Sequence, residues 1–235
     1  MTTKIHSFRR LVLSIAPLVC AVSFVPQAHA QQSARPVQAA QLQTIVFNGA
    51  TQHGWYLPAA QRPKLKFTGN ELKITSRGRS MVMLSQREQV AGLAAEVWLT
   101  HAPVSTSSIT GLGVMGDADH ALVIGLAGGD VILWQLDPDA ARVVARTRVN
   151  ETSPVEFRVI GEQKDNARFF WRHRGDKQWH PLGSSSSDTL LASWHRPMHL
   201  GLLLDGPRGS QATFTDYHTF SADQVQPRMM AAVLQ

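Results

Sequence analysis

The chain has 235 residues, of which 43% are apolar and 17% charged, enough to fill a core and too apolar for a disordered chain. Its formal charge of +6 is partly an end effect: the first thirty residues hold three of the 23 basic side chains and no acid, leaving 20 against 17. So weak a field does not advertise nucleic-acid binding, and the single cysteine, Cys20, excludes an internal disulfide.

The chain opens with Lys4, Arg9 and Arg10, continues through an apolar run from Leu11 to Val25, and reaches Ala28-His29-Ala30. That order reads as a cleaved secretory signal over residues 1–30, with Gln31 as the mature start and a periplasmic or secreted destination. The run is too short to cross the ~30 Å hydrocarbon core, and Pro17 interrupts it, so no membrane span is expected. Arg9-Arg10 leaves twin-arginine export open beside the general route. A lipid anchor on Cys20 would need a small residue where Val19 stands. Residues 31–40 are small, polar and proline-containing, a linker.

From Leu42 onward, short apolar runs separated by Gly, Pro, Asn or Asp predict a succession of antiparallel strands. They are LQTIVF, KLKF, ELKITS, MVMLS, LAAEVWLT, ITGLGVM, HALVIGLA, DVILWQL, RVVARTRV, VEFRVI, ARFFWRH, MHLGLLLD and QATFTDYHTF. No stretch has a helical period. In VEFRVI, Val155, Phe157 and Val159 oppose Glu156 and Arg158; in LAAEVWLT, Val97 and Leu99 oppose Glu96 and Trp98. In RVVARTRV, Val143, Ala145, Thr147 and Val149 oppose Arg142, Arg146 and Arg148. HALVIGLA, ILW and HLGLLL are apolar on both faces. One sheet exposed on one side and a second covered on both make an all-β, antiparallel two-sheet sandwich over residues 41–220, with 221–235 as a tail.

In RFFWRHRGDKQWHPLG, Phe169 and Trp171 face one way and Phe170 and Arg172 the other, before Arg174-Gly175-Asp176-Lys177 turns the chain into a hairpin. The Arg-Gly-Asp triplet is explained by that turn without an adhesion role. Base stacking on Trp171 and Trp179 would need a wider basic funnel than Arg168, Arg172, Arg174 and Lys177 supply.

Three segments resemble the concanavalin A-like jelly rolls: GLGVMGDADHALVIGLAGGDVIL, PVEFRVIGEQKDNARFFWRHRGDKQWHPLG and HLGLLLDGPRGSQATFTDYHTF. The first is similar to the central hairpins, the second to the strand, turn and Trp-bearing hairpin, and the third to the closing pair with its Ala212-x-Phe214-x-Asp216-Tyr217. The named relatives are the C-terminal sandwich modules of family 43 glycosidases, of the β-xylosidase and arabinofuranosidase type, and stand-alone regulatory or lectin-like proteins on the same sandwich. The resemblance covers residues 42–220. Gly175-Asp176 replaces the usual Asp-Gly, and Arg172 and His173 stand where small residues are usual, which weakens any family ligand contact near that turn. The resemblance implies an accessory module without the family's catalytic propeller. It also leaves a structural calcium open near Asp216, with no other cofactor expected.

The residues themselves offer little catalysis. A glycosidase needs two carboxylates flanking a cleft, and no E-x-D-x-x-E run exists; Glu96 and Glu156 are the acids on open strand faces, and Glu156 suits a cross-strand arginine such as Arg148. Asp117 and Asp119 in GDADH read as turn residues, since they and His120 are too few for calcium or zinc. There is no G-x-S-x-G elbow. Aromatic rings that can stack on sugars remain: Trp98 on the open face, with Glu96 and Arg158 beside it and Trp55 at the rim, form the expected ligand site, the other Trp residues packing in the core. The expectation is a non-catalytic, lectin-like module for a glycan or cell-envelope polysaccharide. The alternatives are a structural or interaction module for an envelope protein, and a cryptic glycoside hydrolase or lyase.

Overall fold

Alternation along the strands sorts apolar from polar side chains, and the result is two antiparallel sheets with the apolar sides face to face. The computed structural model describes residues 43–44, 55–56, 64–77, 82–89, 92–103, 105, 107–117, 119–149, 154–162, 166–184 and 198–225, all within one unit spanning residues 39–235. The expected signal segment, the linker, Trp194 and residues 226–235 lie outside the described residues. None of the helices among the described residues is long and apolar enough to cross a membrane.

The first sheet, of eight strands, runs in the order β13 (His180–Ser184), β12 (Ala167–His173), β11 (Val155–Gly161), β6 (Leu93–His101), β15 (Gln211–Ser221), β4 (Glu71–Thr75) and β3 (Lys64–Thr68). The short β1 (Gln43–Thr44) also pairs with β15. The second sheet, of seven, runs β10 (Ala140–Arg148), β9 (Asp130–Asp137), β8 (His120–Ala127), β7 (Ile109–Asp117), β14 (His199–Asp205), β5 (Val82–Gln89) and β2 (Trp55–Tyr56). The all-β sandwich expected from the sequence is the fold.

Between the sheets lie Leu72, Val97, Leu99, Phe157, Phe169 and Phe214 from the first and Leu112, Leu122, Ile124, Leu133 and Leu202 from the second. The second sheet is buried on its far side as well, where Met115, Val123, Ile132, Trp134 and Leu203 form a separate cluster. This is why β8, β9 and β14 read as continuous apolar runs. The first sheet keeps a polar outer face over most of its width.

Two local features depart from the sequence reading. The pairing of β10 with β9 shifts between Val143 and Ala145, so the extra residue Val144 breaks the alternation and both valines are more than two-fifths exposed. Arg142 consequently pairs with Gln135 and hydrogen-bonds to its Oε1. The tail's first residues also join the fold: a 3-10 turn over Ala222–Gln224 brings Ala222 and Val225 onto Ala94, Ile160 and Phe170 of the first sheet's outer face.

The hairpin of β12 and β13 turns where expected, with Gly175 at φ 93°. The Asp176 N–H donates to His173 O at 3.1 Å, and Asp176 Oδ2 accepts from the His173 N–H at 3.3 Å. A Cβ at position 175 meets nothing within 4 Å, so only the backbone conformation resists it. Gly175→Ala is expected to cost about 1 kcal/mol, measured by urea denaturation, the ordinary penalty of a left-handed conformation.

A candidate ligand-binding face

The outer face of the first sheet is built by β6, β11, β12 and β15, whose inward residues leave every second side chain pointing away from the core. Register aligns these outward residues in rows across the strands. One row is Phe170, Arg158, Glu96 and His218; the next is Arg172, Glu156, Trp98, Thr215 and Glu71. Beyond the first row the face is closed by the small apolar cluster under the terminal 3-10 turn, against which Trp179 and Phe220 pack.

Within the rows the charges are matched across neighbouring strands. Arg158 donates through Nε to Glu96 Oε1 at 2.6 Å and approaches the same oxygen through Nη2. Arg172 Nε donates to Glu156 Oε2, and its Nη1 donates to Asp176 O at 3.3 Å. Aromatic rings stack into this lattice. Trp179, in the segment entering β13, lies against both cations, with Arg158 Cζ 3.9 Å and Arg172 Cζ 4.3 Å from its ring centroid. Trp98 has Arg172 at 5.8 Å and Arg174 at 5.9 Å, both within cation–π reach.

Burial tunes the charged groups. Glu156 is only 3% exposed, and desolvation raises its pKa above the ordinary carboxylate value despite the opposing hydrogen bond and charge of Arg172. The Arg158 guanidinium is pulled below its usual range by burial, which the Glu96 carboxylate partly offsets. Both carboxylates are therefore engaged by guanidinium groups. What the face presents outward is aromatic surface and hydrogen-bonding edge.

Trp98, Glu96 and Arg158 are thus brought together. Trp55 is not: its backbone lies on β2 of the second sheet, and its side chain is outside the described residues. The expected partner of Glu156, Arg148, belongs to β10 of the second sheet, and Arg172 takes its place because β12 is the register neighbour of β11. Sequence reasoning set Trp179 aside as the start of a return strand. The outward Arg158 and Arg172, two strands that meet in one hairpin, were the signal that a ring nearby would lie on them. Trp134 and Trp171 are core residues, 6% and 9% exposed.

Asp216 is the one described non-glycine residue with positive φ, at 52°, where the pairing of β15 with β6 shifts. Its Oδ1 accepts from Asn70 Nδ2 at 2.6 Å, so its carboxylate fastens the turn between β3 and β4. Among the described residues no group of three or more His, Cys, Asp or Glu is placed to hold a metal ion. Asp119 lies in the β7–β8 turn as expected, while the Asp117 side chain is outside the described residues.

No protein-family model matches this chain, and no curated protein matches it. Solved structures do. Bacteroides ovatus Xyloglucan PUL GH43B matches at 13% identity and a TM-score of 0.62, over 76% of this chain and 39% of that one. The GH43 BlXynB protein of Bacillus licheniformis matches at 16% identity and a TM-score of 0.54, over 64% of this chain and 33% of that one. The carbohydrate-binding module CBM66 of Bacillus subtilis matches at 14% identity and a TM-score of 0.52, over 72% of this chain and 96% of that one. This chain therefore spans less than half of either GH43 protein and nearly all of the module. At these identities the likeness is one of fold, the two-sheet antiparallel β-sandwich expected from the sequence.

Proposed function

We propose that this protein is an exported, non-catalytic module that binds a glycan, such as a cell-envelope polysaccharide, on the outer face of the first sheet around Trp98. The observation that carries the reading is a half-buried indole held at the centre of that face by Arg172 and Arg174, beside charges already paired with one another. An indole so held offers a rigid apolar surface to the C–H face of a sugar ring at little entropic cost. The match to a protein described as a carbohydrate-binding module, over nearly its whole length, supports the same reading. Glu96 and Glu156, the two acids of this face, are each engaged by an arginine, and Glu156 is too buried to reach a glycosidic oxygen, which supports a binding role over hydrolysis. The Lys- and Arg-bearing apolar segment at the start of the chain supports export.

The test is affinity electrophoresis of the purified protein in gels containing xylan, arabinan, a β-glucan or peptidoglycan. At least one polysaccharide should retard it, and Trp98→Ala should weaken that binding about tenfold, the equivalent of one stacked ring. The same variant should lose no more than about 1 kcal/mol of stability, since the ring is not in the core. Retardation by none of them, together with capture of an envelope protein that Trp98→Ala releases, would replace the glycan by a protein partner.

A further inference from the structure

One row beyond Trp98 the outer face changes character. Arg174 is bonded through its N–H to Pro154 O at 3.0 Å, and Pro154 precedes the Val155↔Leu99 pair, so the row continues to the Thr100–His101 step of β6, where His101 is the register partner of Thr213, and on to Lys73 and Lys66. Thr100 fixes the crossing, donating from Oγ1 to Thr213 O at 3.2 Å where β6 and β15 slip by a residue. The row is floored by Pro154, Thr100 and Thr213 with the exposed His101 beside them, and it ends in cations on both sides. Arg174, Lys66 and Thr100 are exposed, and Lys73 is half-buried. None of Arg174, Lys66 and Lys73 has an ion-pair partner among the described residues, in contrast to the arginines of the rows behind.

From Arg174 on the β12 side to Lys66 on β3 the row crosses five strand spacings, about 24 Å at the usual separation. We infer that this row is the track of an anionic polysaccharide, a chain carrying carboxylates on its sugar units, laid across the strands with one ring stacked on Trp98. The inference rests on the glycan reading above and supplies the class of glycan. The cations at the two ends meet carboxylates, and the Pro and Thr floor between them lets a flat pyranose chain lie close to the sheet. A nucleic-acid strand fits less well, because it brings a phosphate every few ångströms and the middle of the row has no lysine or arginine to meet them. The slight positive balance of the chain beyond residue 30, 20 basic against 17 acidic side chains, agrees with a local charge match in place of a long-range field.

The experiment is affinity electrophoresis and titration calorimetry of the purified full chain with polygalacturonate, with its methyl ester, with a neutral galactan, with single-stranded DNA and with anionic phospholipid vesicles. Polygalacturonate should bind and the methyl ester and galactan should not, and the binding should weaken as salt is raised. Lys73→Glu and Arg174→Glu should each lower the affinity about five- to tenfold, as expected for reversing one charge close to a ligand charge. Arg148→Glu, the same charge change on the second sheet, should leave it unchanged, and Lys73→Gln should give an intermediate loss with an unaltered thermal melt. Binding of the neutral galactan that ignores all these reversals would overturn the anionic track and leave the glycan reading standing. Binding of no polysaccharide would overturn both. DNA or vesicles bound as tightly as polygalacturonate, with the same response to the reversals, would show a general polyanion surface and overturn the assignment.

Discussion

Gly111→Ala is expected to destabilise the sandwich by about 3 kcal/mol or more, the largest loss from adding a single methyl group, lowering the melting temperature by roughly 10 °C. Gly111 of β7 stands opposite Gly125 of β8, and a Cβ built on it would lie 2.5 Å from the Gly125 Cα. Gly113, two residues on, would place a Cβ 2.8 Å from the Val123 Cα. The obstacle in both cases is the neighbouring strand's backbone, which cannot rotate away as a side chain could. β8 cannot retreat either, since its other side carries Leu122 and Ile124 into the core and its next neighbour is the buried β9. Gly209→Ala is the control: it sits in an open turn with nothing within 4 Å of a new Cβ and a φ of 87°, so it should cost only about 1 kcal/mol. Urea denaturation of the two variants measures the contrast, and equal losses would mean that β7 and β8 are not held as closely as described.

The same strands show what was legible beforehand. HALVIGLA is apolar on both faces, and a strand covered on both sides was the available explanation; Ala121 to Gly125 are all buried, and only the strand's ends are partly exposed. VEFRVI and LAAEVWLT alternate, and period two placed Phe157 and Val97 inside and Arg158, Glu96 and Trp98 outside. RVVARTRV alternates in the same way on paper and holds from Ala145 to Val149 but fails at Val143, because a bulge is an event of pairing with β9 and Val144 does nothing in composition to announce it. The partner of Glu156 failed for a related reason. Alternation says which face a residue occupies, but only strand order says which arginine shares that face, and Arg148 and Arg172 are indistinguishable until β10 and β12 fall into different sheets. Trp179 lies before β13 with no period to read, so the outward Arg158 and Arg172 hinted at a ring upon them while only the fold says that the ring is Trp179.

Arg172→Met should cost about 3 kcal/mol at pH 7, because it strands a buried carboxylate while keeping a side chain of similar length over Trp179. The cost should depend on pH in a definite direction. Burial raises Glu156 above its ordinary pKa of 4.5 against the pull of Arg172, so the folded protein holds that proton more firmly than the unfolded chain does. A group of this kind contributes most stability below its unfolded pKa and loses it as the pH rises through the raised folded value. Removing Arg172 takes away the main opposing influence, with Arg158 left as the nearby cation and Glu96 as the nearby anion, so the raised value moves higher still. The penalty of Arg172→Met should accordingly be smaller at pH 4, where Glu156 is protonated in either state, than at pH 7. Glu156→Gln in the same background should recover much of the loss at pH 7 and flatten the difference between the two pH values, leaving the slope of Asp205, whose carboxyl is also raised by burial. Urea midpoints of the wild type, the single variants and the double variant at the two pH values decide the matter. A penalty for Arg172→Met that is equal at pH 4 and pH 7 would show that its loss acts through the stacking on Trp179, with the Glu156 pair contributing nothing.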